Sequence, residues 1–367
     1  MKIIYITEVN LDIPSGVLFK MNAQIDEWKK CGHDVYVVSI PCQITTGGKE
    51  CLTKSAAGAF IFIHPFVRTT KNIALFNLGN KILSAGRYKN YIQSINPDII
   101  YLREMIAYPG VGRLLNKHKV IIENNTLLSE EVKMGSRSLL KMYQLFQHQI
   151  NDNVDGFIGV TNEISSHYKH FKKPVTTITN GIKLEHTNTT ITPSNVRAQL
   201  ILVGSPNMTW HGMDKFQRMA ELIPEADFHL VGEDVPNNNL SNFFSHGYLE
   251  KDDLMQLYTK IDVAVGTLAL HRKKMYEACP LKVRQYASLG IPLIIAYNDT
   301  DFSGQNFVLQ LPNAEDNIYN HVSEIKAFVR NWKGKRVSLS AIEPLISSTA
   351  KENQRLAFFT HIINQRN

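Results

Sequence analysis

The sequence predicts an α/β protein made of two successive parallel-sheet units, and three observations carry that prediction. At 367 residues the chain exceeds one ordinary domain of roughly 100–200 residues. Short β-rich runs alternate with helical patterns from the start, as in βαβ units whose sheet is covered on both faces. From about Glu185 to Ala198 a Thr/Asn/Pro-rich stretch without apolar period interrupts this rhythm, which then restarts.

Taken in order, strands are expected near 2–7, 34–40, 58–63, 98–102, 119–123, 155–160 and 175–178. Between the first two, Val17, Leu18, Met21, Ile25 and Trp28 recur at helical spacing with Lys20, Lys29 and Lys30 among them. That helix stops at Cys31-Gly32-His33, where glycine supplies the left-handed cap. Lys71 to Tyr91 reads as a second amphipathic helix, with Ile73, Leu75, Phe76, Leu78, Ile82 and Leu83 amid Lys71, Lys81, Arg87 and Lys89. After the linker come Leu200-Ile201-Leu202-Val203 with Gly204, Phe228-His229-Leu230-Val231 with Gly232, and strands near 261–265 and 292–296. The expected division is a first domain over 1–185, a linker over 186–198, a second domain over 199–345, and a helix over 346–367 that can cross back to the first domain.

Composition narrows the class. Hydrophobic residues at 44% and charged residues at 20% are ordinary for a globular protein. The longest apolar stretch, Ala56 to Phe66, falls short of the ~20 residues that span a bilayer, and the first residues read as a strand rather than a signal peptide. Cys31, Cys42, Cys51 and Cys279 form no Cys-x-x-Cys pair, which fits a reducing cytoplasm. Of the net charge of +7, the whole excess lies in residues 1–185, which hold 22 Lys/Arg against 15 Asp/Glu, while the remainder holds 18 of each. A basic first half points to an anionic partner such as lipid headgroups or a lipid-diphosphate acceptor. Nucleic acid is disfavoured, since no zinc-finger spacing, RNP-like motif or long basic helix is present.

The motifs appear in a recognisable order. Pro14-Ser15-Gly16-Val17 follows the first strand. Val154-Asp155-Gly156-Phe157-Ile158-Gly159-Val160-Thr161 reads as a strand ending in a polar helix cap, and Ile178-Thr179-Asn180-Gly181-Ile182 as a turn. Then come Val203-Gly204-Ser205 through Trp210-His211-Gly212-Met213-Asp214, and a dense stretch from Leu268 to Pro292. This order resembles glycosyltransferase family 4, a family of retaining enzymes of the GT-B fold, in which two Rossmann-like domains face each other across a cleft. The resemblance implies an acceptor-binding first domain and a nucleotide-sugar-binding second one.

The stretch Met275-Tyr276-Glu277-Ala278-Cys279-Pro280-Leu281-Lys282-Val283-Arg284-Gln285 is similar to the family's donor motif, which sets two Glu residues eight positions apart. Here the pair is Glu277 and Gln285. Pro280 suits a first helical turn, and Gly290 with Pro292 ends the helix. The resemblance implies that Glu277 contacts hydroxyls of the transferred sugar and Gln285 the ribose, where an amide keeps an acceptor, adds a donor and loses the charge. Lys282 stands where relatives often carry a Pro-Leu-Lys run at the donor diphosphate. The family's usual phosphate cations, an Arg after the first glycine and a Lys six positions on, are replaced by Ser205 and His211, with His211 expected as a partly charged donor. Arg272 and Lys282 are expected to supply the missing countercharge, and Lys273 and Lys274 to be solvated.

The donor site is thus expected to comprise Glu277, Lys282 and Arg272 as catalytic groups, with Gly204, Ser205, His211, Gly212, Pro280, Leu281 and Gln285 binding the nucleotide-sugar. Gly16, Val17, Arg103 and Glu123 are the acceptor-side candidates. No Asp-x-Asp metal motif of the GT-A kind is assigned, so no cofactor and no metal are expected. The function expected is transfer of a sugar, with retention, from a nucleotide-diphosphate sugar to a glycan or lipid-linked acceptor in cell-surface polysaccharide biosynthesis, with peripheral contact at the inner membrane face. A sugar-nucleotide 2-epimerase on the same scaffold, and a transferase-like partner subunit or glycan-binding module with weakened catalysis, are the alternatives. A dehydrogenase is not expected, because no Gly-x-Gly-x-x-Gly follows either first strand.

Overall fold

The computed structural model describes residues 1–11, 15–41, 52–54, 59–62, 73–135, 137–184, 193–236 and 239–365. Pro14, Cys42, Cys51, most of the Ala56–Phe66 stretch and much of the expected linker lie outside them. The chain divides into two compact units, one comprising Met1–Thr179 with Lys351–Asn367, the other Asn180–Ala350.

The first unit holds β1 (Lys2–Thr7), β2 (Asp34–Ser39), β3 (Leu52–Lys54), β4 (Ala59–Phe62), β5 (Ile99–Arg103), β6 (Val120–Asn124), β7 (Gly156–Gly159) and β8 (Val175–Thr177). They form one sheet in the order β3-β4-β2-β1-β5-β6-β7-β8. Every pairing is parallel except β3 with β4. The second unit holds β9 (Ala198–Val203), β10 (Ala226–Val231), β11 (Phe243–Ser245), β12 (Val263–Val265), β13 (Leu293–Ile295) and β14 (Val308–Gln310), in the all-parallel order β11-β10-β9-β12-β13-β14. That is the doubly wound order 3-2-1-4-5-6. Its strand order reverses between β9 and β12, the place where open α/β sheets of this order bind ligands, outside the carboxyl ends of the strands. The first unit reverses likewise between β1 and β5.

All the expected strands are present. The three missed ones, β3, β11 and β14, are three residues each, and all lie at sheet edges, where no apolar run is needed. The helix Gly16–Lys30 starts at Ser15, whose hydroxyl accepts the Leu18 N–H at 3.2 Å, and ends with Gly32 at φ +80°. It buries Trp28 against Tyr101 and Phe359, with ring centroids 5.2 and 5.3 Å away. Phe359 belongs to the helix Ser348–Asn364, so the end of the chain completes the first unit's core together with Ile3, Tyr5, Ile121 and Ile158. The second core gathers Leu200, Leu202, Phe216, Phe228, Val263 and Ile294.

The helix Ile73–Ile95 departs from the expected amphipathic pattern. Its inner side carries Phe76, Asn80, Lys81, Ser84, Tyr88 and Ile92, while Ile82 and Leu83 are exposed by 41% and 47%. Polar partners explain the inversion: Asn80 donates to the Phe62 carbonyl at 2.9 Å, Ser84 to Asn80 at 3.1 Å, and Lys81 to the Ile106 carbonyl at 2.8 Å while pairing with Glu8. No helix among the described residues is long and apolar enough to cross a membrane.

Candidate functional site

At the carboxyl ends of β9, β10 and β12 the backbone runs close together, and Gly212 and Gly232 leave no room for a side chain. Gly204 follows β9, and a Cβ there would run into the Met213 methyl group; a Cβ on Gly232, at φ +101°, would strike the Gly204 carbonyl. Thr209–His211 forms a single tight turn ended by Gly212 at φ +75°, where a Cβ would lie 2.8 Å from that of Leu268. The loops that follow β9 and β12 are joined by backbone bonds from Leu268 N–H to the His211 carbonyl and from Ala269 N–H to the Trp210 carbonyl, both 3.1 Å.

Into this frame the helix Leu281–Ser288 sends two side chains at the end of β9: the Tyr286 hydroxyl accepts the Val203 N–H at 2.9 Å, and Lys282 Nζ donates to the Val203 carbonyl at 2.8 Å. Pro280 caps the helix with φ −71° and ψ 136°, and Gly290 at φ +70° follows its end. Among the described residues no carboxylate pairs with Lys282. Burial alone lowers its ammonium to about 7.

His211 lies within the field of Lys282 and Lys273, and its ring accepts the Ser205 N–H on Nδ1 at 3.0 Å. Burial first, then the two lysines, lower it to about 3. The ring is therefore neutral, with its proton on Nε2, rather than the partly charged donor expected from sequence. Nε2–H remains a hydrogen-bond donor. Lys273, expected to be solvated, is 8% exposed and lies 4.9 Å over the Trp210 ring, whereas Lys274 is exposed and left-handed at φ +55°.

Arg272 stands apart from Lys282 in chemistry. Its guanidinium takes Asp214 in a fork at 2.9 and 2.8 Å, pairs with Glu315, and donates to the Thr209 carbonyl at 3.1 Å. Its charge is already matched by two carboxylates, so what it visibly does is tie its loop to the helix Met213–Leu222. The sequence pattern announces neither the pairing of Asp214 nor the parts of Glu315 and Asn313, which accepts the His271 N–H at 2.8 Å. Separations of 42 to 58 residues hid them.

Glu277 is half-buried, and its backbone forms a parallel bridge with Asn298. Gln285 is half-buried three residues beyond Lys282, the spacing that places two side chains on one helix face, and its amide approaches Met255 Sδ at 3.8 Å. Leu281 begins the helix beside Lys282 and is also half-buried. The sequence does carry one Asp-x-Asp spacing, Asp299-Thr300-Asp301, and both carboxylates bind Arg284, at 2.8 Å. Among the described residues no group of three or more His, Cys, Asp or Glu side chains is arranged to hold a metal ion.

In the first unit, Gly16 opens its helix at the surface with Val17 half-buried behind it. Glu123 does not present its carboxylate to solvent: it is fully buried, paired with Lys20, bonded to the Tyr101 hydroxyl and to Gln24 at 3.2 Å, and 3.7 Å from Arg355. Burial opposes its charge, but Lys20, Arg355 and Arg103 hold the carboxyl well below its ordinary range. Arg103, at the end of β5, keeps a buried Nη1 that no described group accepts. Next to it, Glu104 is pushed by burial to about 8 although it accepts the Asn125 and Thr126 N–H groups at 3.0 and 3.3 Å.

No family model and no curated protein sequence matches the chain. Solved structures do. The fold resembles sucrose-phosphate synthase from Thermosynechococcus elongatus, with a TM-score of 0.71 and 13% identity over 99% of both chains. It also resembles the lipopolysaccharide outer core galactosyltransferase WaaB, with TM-score 0.65 and 12% identity over 98% of this chain and 100% of that one. An alpha-glucosyltransferase in complex with UDP and a 13-mer DNA gives 0.63 and 12% over 98% and 99%. The fold is GT-B. Identities this low establish the fold and nothing finer.

Proposed function

We propose that the chain is a retaining glycosyltransferase that binds a nucleotide-diphosphate sugar in its second unit and transfers the hexose to a glycan or lipid-linked acceptor. One observation carries this: Lys282, a cation without a carboxylate, stands at the carboxyl end of β9, at the point where the strand order reverses, beside glycine-built backbone. The diphosphate lies against Lys282, the Nε2–H of His211 and the amides of the Gly204–Gly212 loop. As the sugar departs, negative charge grows on that diphosphate, and Lys282 stabilises it more in the transition state than in the ground state. Glu277 holds sugar hydroxyls and Gln285 the ribose. Arg272 serves by fixing its loop, since its own charge is spent on Asp214 and Glu315. No metal or cofactor is needed in this proposal, so EDTA leaves turnover unchanged.

A membrane-facing, cytoplasmic role in cell-surface polysaccharide synthesis is supported by the basic first 185 residues and by Ile82 and Leu83, exposed near Arg87 and Lys89. The glucosyltransferase neighbour holds DNA; for this chain a glycan or lipid-linked acceptor is retained. The partner-subunit alternative is kept alive by Ser205 and the neutral His211, which leave the site short of the family's usual cations. Calorimetry with UDP, GDP and ADP, followed by nucleotide-release assays with their sugars, tests the proposal. Binding with turnover supports it, binding without turnover favours the partner subunit, turnover to an epimer without acceptor favours the epimerase, and absence of binding overturns it.

A further inference from the structure

Arg284 is completely buried, and all three nitrogens of its guanidinium donate hydrogen bonds. Nη1 and Nη2 grip Asp299 at 2.8 Å each, Nη2 also reaches Asp301 and Cys279 Sγ at 2.8 Å, and Nε donates to the Asn180 carbonyl at 3.2 Å. Its flat face lies 4.5 Å from the Phe302 ring centre. Asn180 closes the ring of contacts by donating its amide to the Cys279 carbonyl at 2.6 Å and its backbone N–H to Cys279 Sγ at 3.0 Å. A planar guanidinium reaches these acceptors from three nitrogens at once, and a lysine at the position would leave some of them unmet.

The consequence falls on Glu277. Its neighbours are fixed from two sides: Asn298 donates to the Tyr276 carbonyl at 2.9 Å and accepts the Ala278 N–H at 3.2 Å, and Asn298 directly precedes Asp299. Cys279, two residues beyond Glu277, is held by Arg284 itself. Both fixings therefore run to one guanidinium. We propose that Arg284 is a positioning residue that sets the Glu277 loop against the transferred sugar, leaving the nucleotide diphosphate to be held by other groups. This inference rests on the donor-site proposal above.

The test compares wild type, Arg284→Lys, Cys279→Ala, Asp301→Asn and Glu277→Gln in the full chain, using whichever of UDP, GDP and ADP binds, with and without attached glucose. Arg284→Lys is expected to keep nucleoside diphosphate affinity within about twofold while turnover of the nucleotide-sugar falls about 100-fold, because small displacements of a positioning group cost that much. Cys279→Ala and Asp301→Asn, which leave the Arg284–Asp299 fork in place, are expected to show the same pattern at about a tenth of the effect, and they carry the test if Arg284→Lys does not fold. The inference is overturned if the variants lose thermal stability with turnover unchanged, or lose both affinities equally. If Glu277→Gln leaves turnover unchanged, the donor-site proposal fails and takes this inference with it. A large Glu277→Gln effect beside unchanged Arg284→Lys kinetics overturns the positioning role alone.

Discussion

The two sheets reverse their strand order in the same way, yet one charged group near the strand carboxyl ends of each, Glu123 in the first and Lys282 in the second, is treated in the opposite way. In the first unit Glu123 is sealed in a buried cluster with Lys20, Tyr101, Gln24 and Arg355. In the second, Lys282 reaches a backbone carbonyl and, among the described residues, no carboxylate. A compensated charge holds structure, whereas an uncompensated one near a crevice invites an anion. Topology alone therefore does not separate the two strand ends; in the donor site proposed above, the separating feature is a lysine that no carboxylate among the described residues pairs with. The largest expected effect breaks the first side of this comparison. Glu123→Gln keeps an acceptor oxygen but removes the charge that matches buried Lys20, while Arg355 retains Glu352, and the expected loss is about 3–5 kcal/mol of stability by denaturant unfolding, with nucleoside diphosphate affinity unchanged in whatever remains folded. A loss of nucleotide binding without loss of stability would show that Glu123 reaches a ligand.

The second side is broken by Lys282→Gln, which is expected to lower turnover of a nucleotide-sugar about 100-fold, in the range for removing one donor to developing charge. Thermal stability should not fall, and at pH 7 and below it should rise by roughly 2–4 °C, because an ammonium lowered by burial costs folding free energy wherever it must be charged. Arg272→Gln should do the reverse, lowering stability with a smaller loss of turnover. Equal kinetic losses at Arg272 and Lys282 would show that Asp214 and Glu315 release Arg272 when the donor binds.

The sequence displayed the parts that depend on local pattern. The main strands, the capped helix Gly16–Lys30 and the Pro280–Gly290 helix could be seen because apolar period, caps and breakers lie within a few residues of each other. Partnerships could not. Nothing near Arg272 or Arg284 announces Asp214, Glu315 or Asp299, and the sequence, which sets Arg272 as a countercharge apart from solvated Lys273 and Lys274, does not show that Arg272 is neutralised or that Lys273 lies on Trp210. His211 was misjudged for the same reason: its charge state depends on burial and on two lysines far away in sequence.

A smaller effect sharpens the comparison through pH. Free Lys282 titrates at about 7, and a bound diphosphate favours its charged form and raises that value. Affinity for a nucleoside diphosphate should then be fullest below about pH 7 and weaken as pH rises above it, approaching a tenfold loss for each pH unit until the raised value in the complex is reached. Binding near pH 8 should take up a proton, seen as a dependence of the calorimetric heat on the buffer's ionisation enthalpy. In Lys282→Gln that dependence should vanish. Its persistence would assign the titration to another group, and His211, lowered to about 3 before the ligand arrives, would be the next to test.

The smallest effect concerns the surface of the first unit. Ile82 and Leu83 are exposed because their helix turns Asn80, Lys81 and Ser84 inward, so replacing both by Ser removes apolar surface without disturbing the polar seam. The expected outcome is an unchanged melting temperature and about a tenfold weaker association with vesicles containing anionic lipid, each residue contributing up to roughly 1 kcal/mol where it dips into the interface. Wild-type association should also weaken with salt, because the basic excess of the first 185 residues acts through a screened field. If the double variant floats with vesicles as well as wild type does, the exposed pair is ordinary surface, and the basic charge of this unit belongs to the acceptor rather than to the membrane.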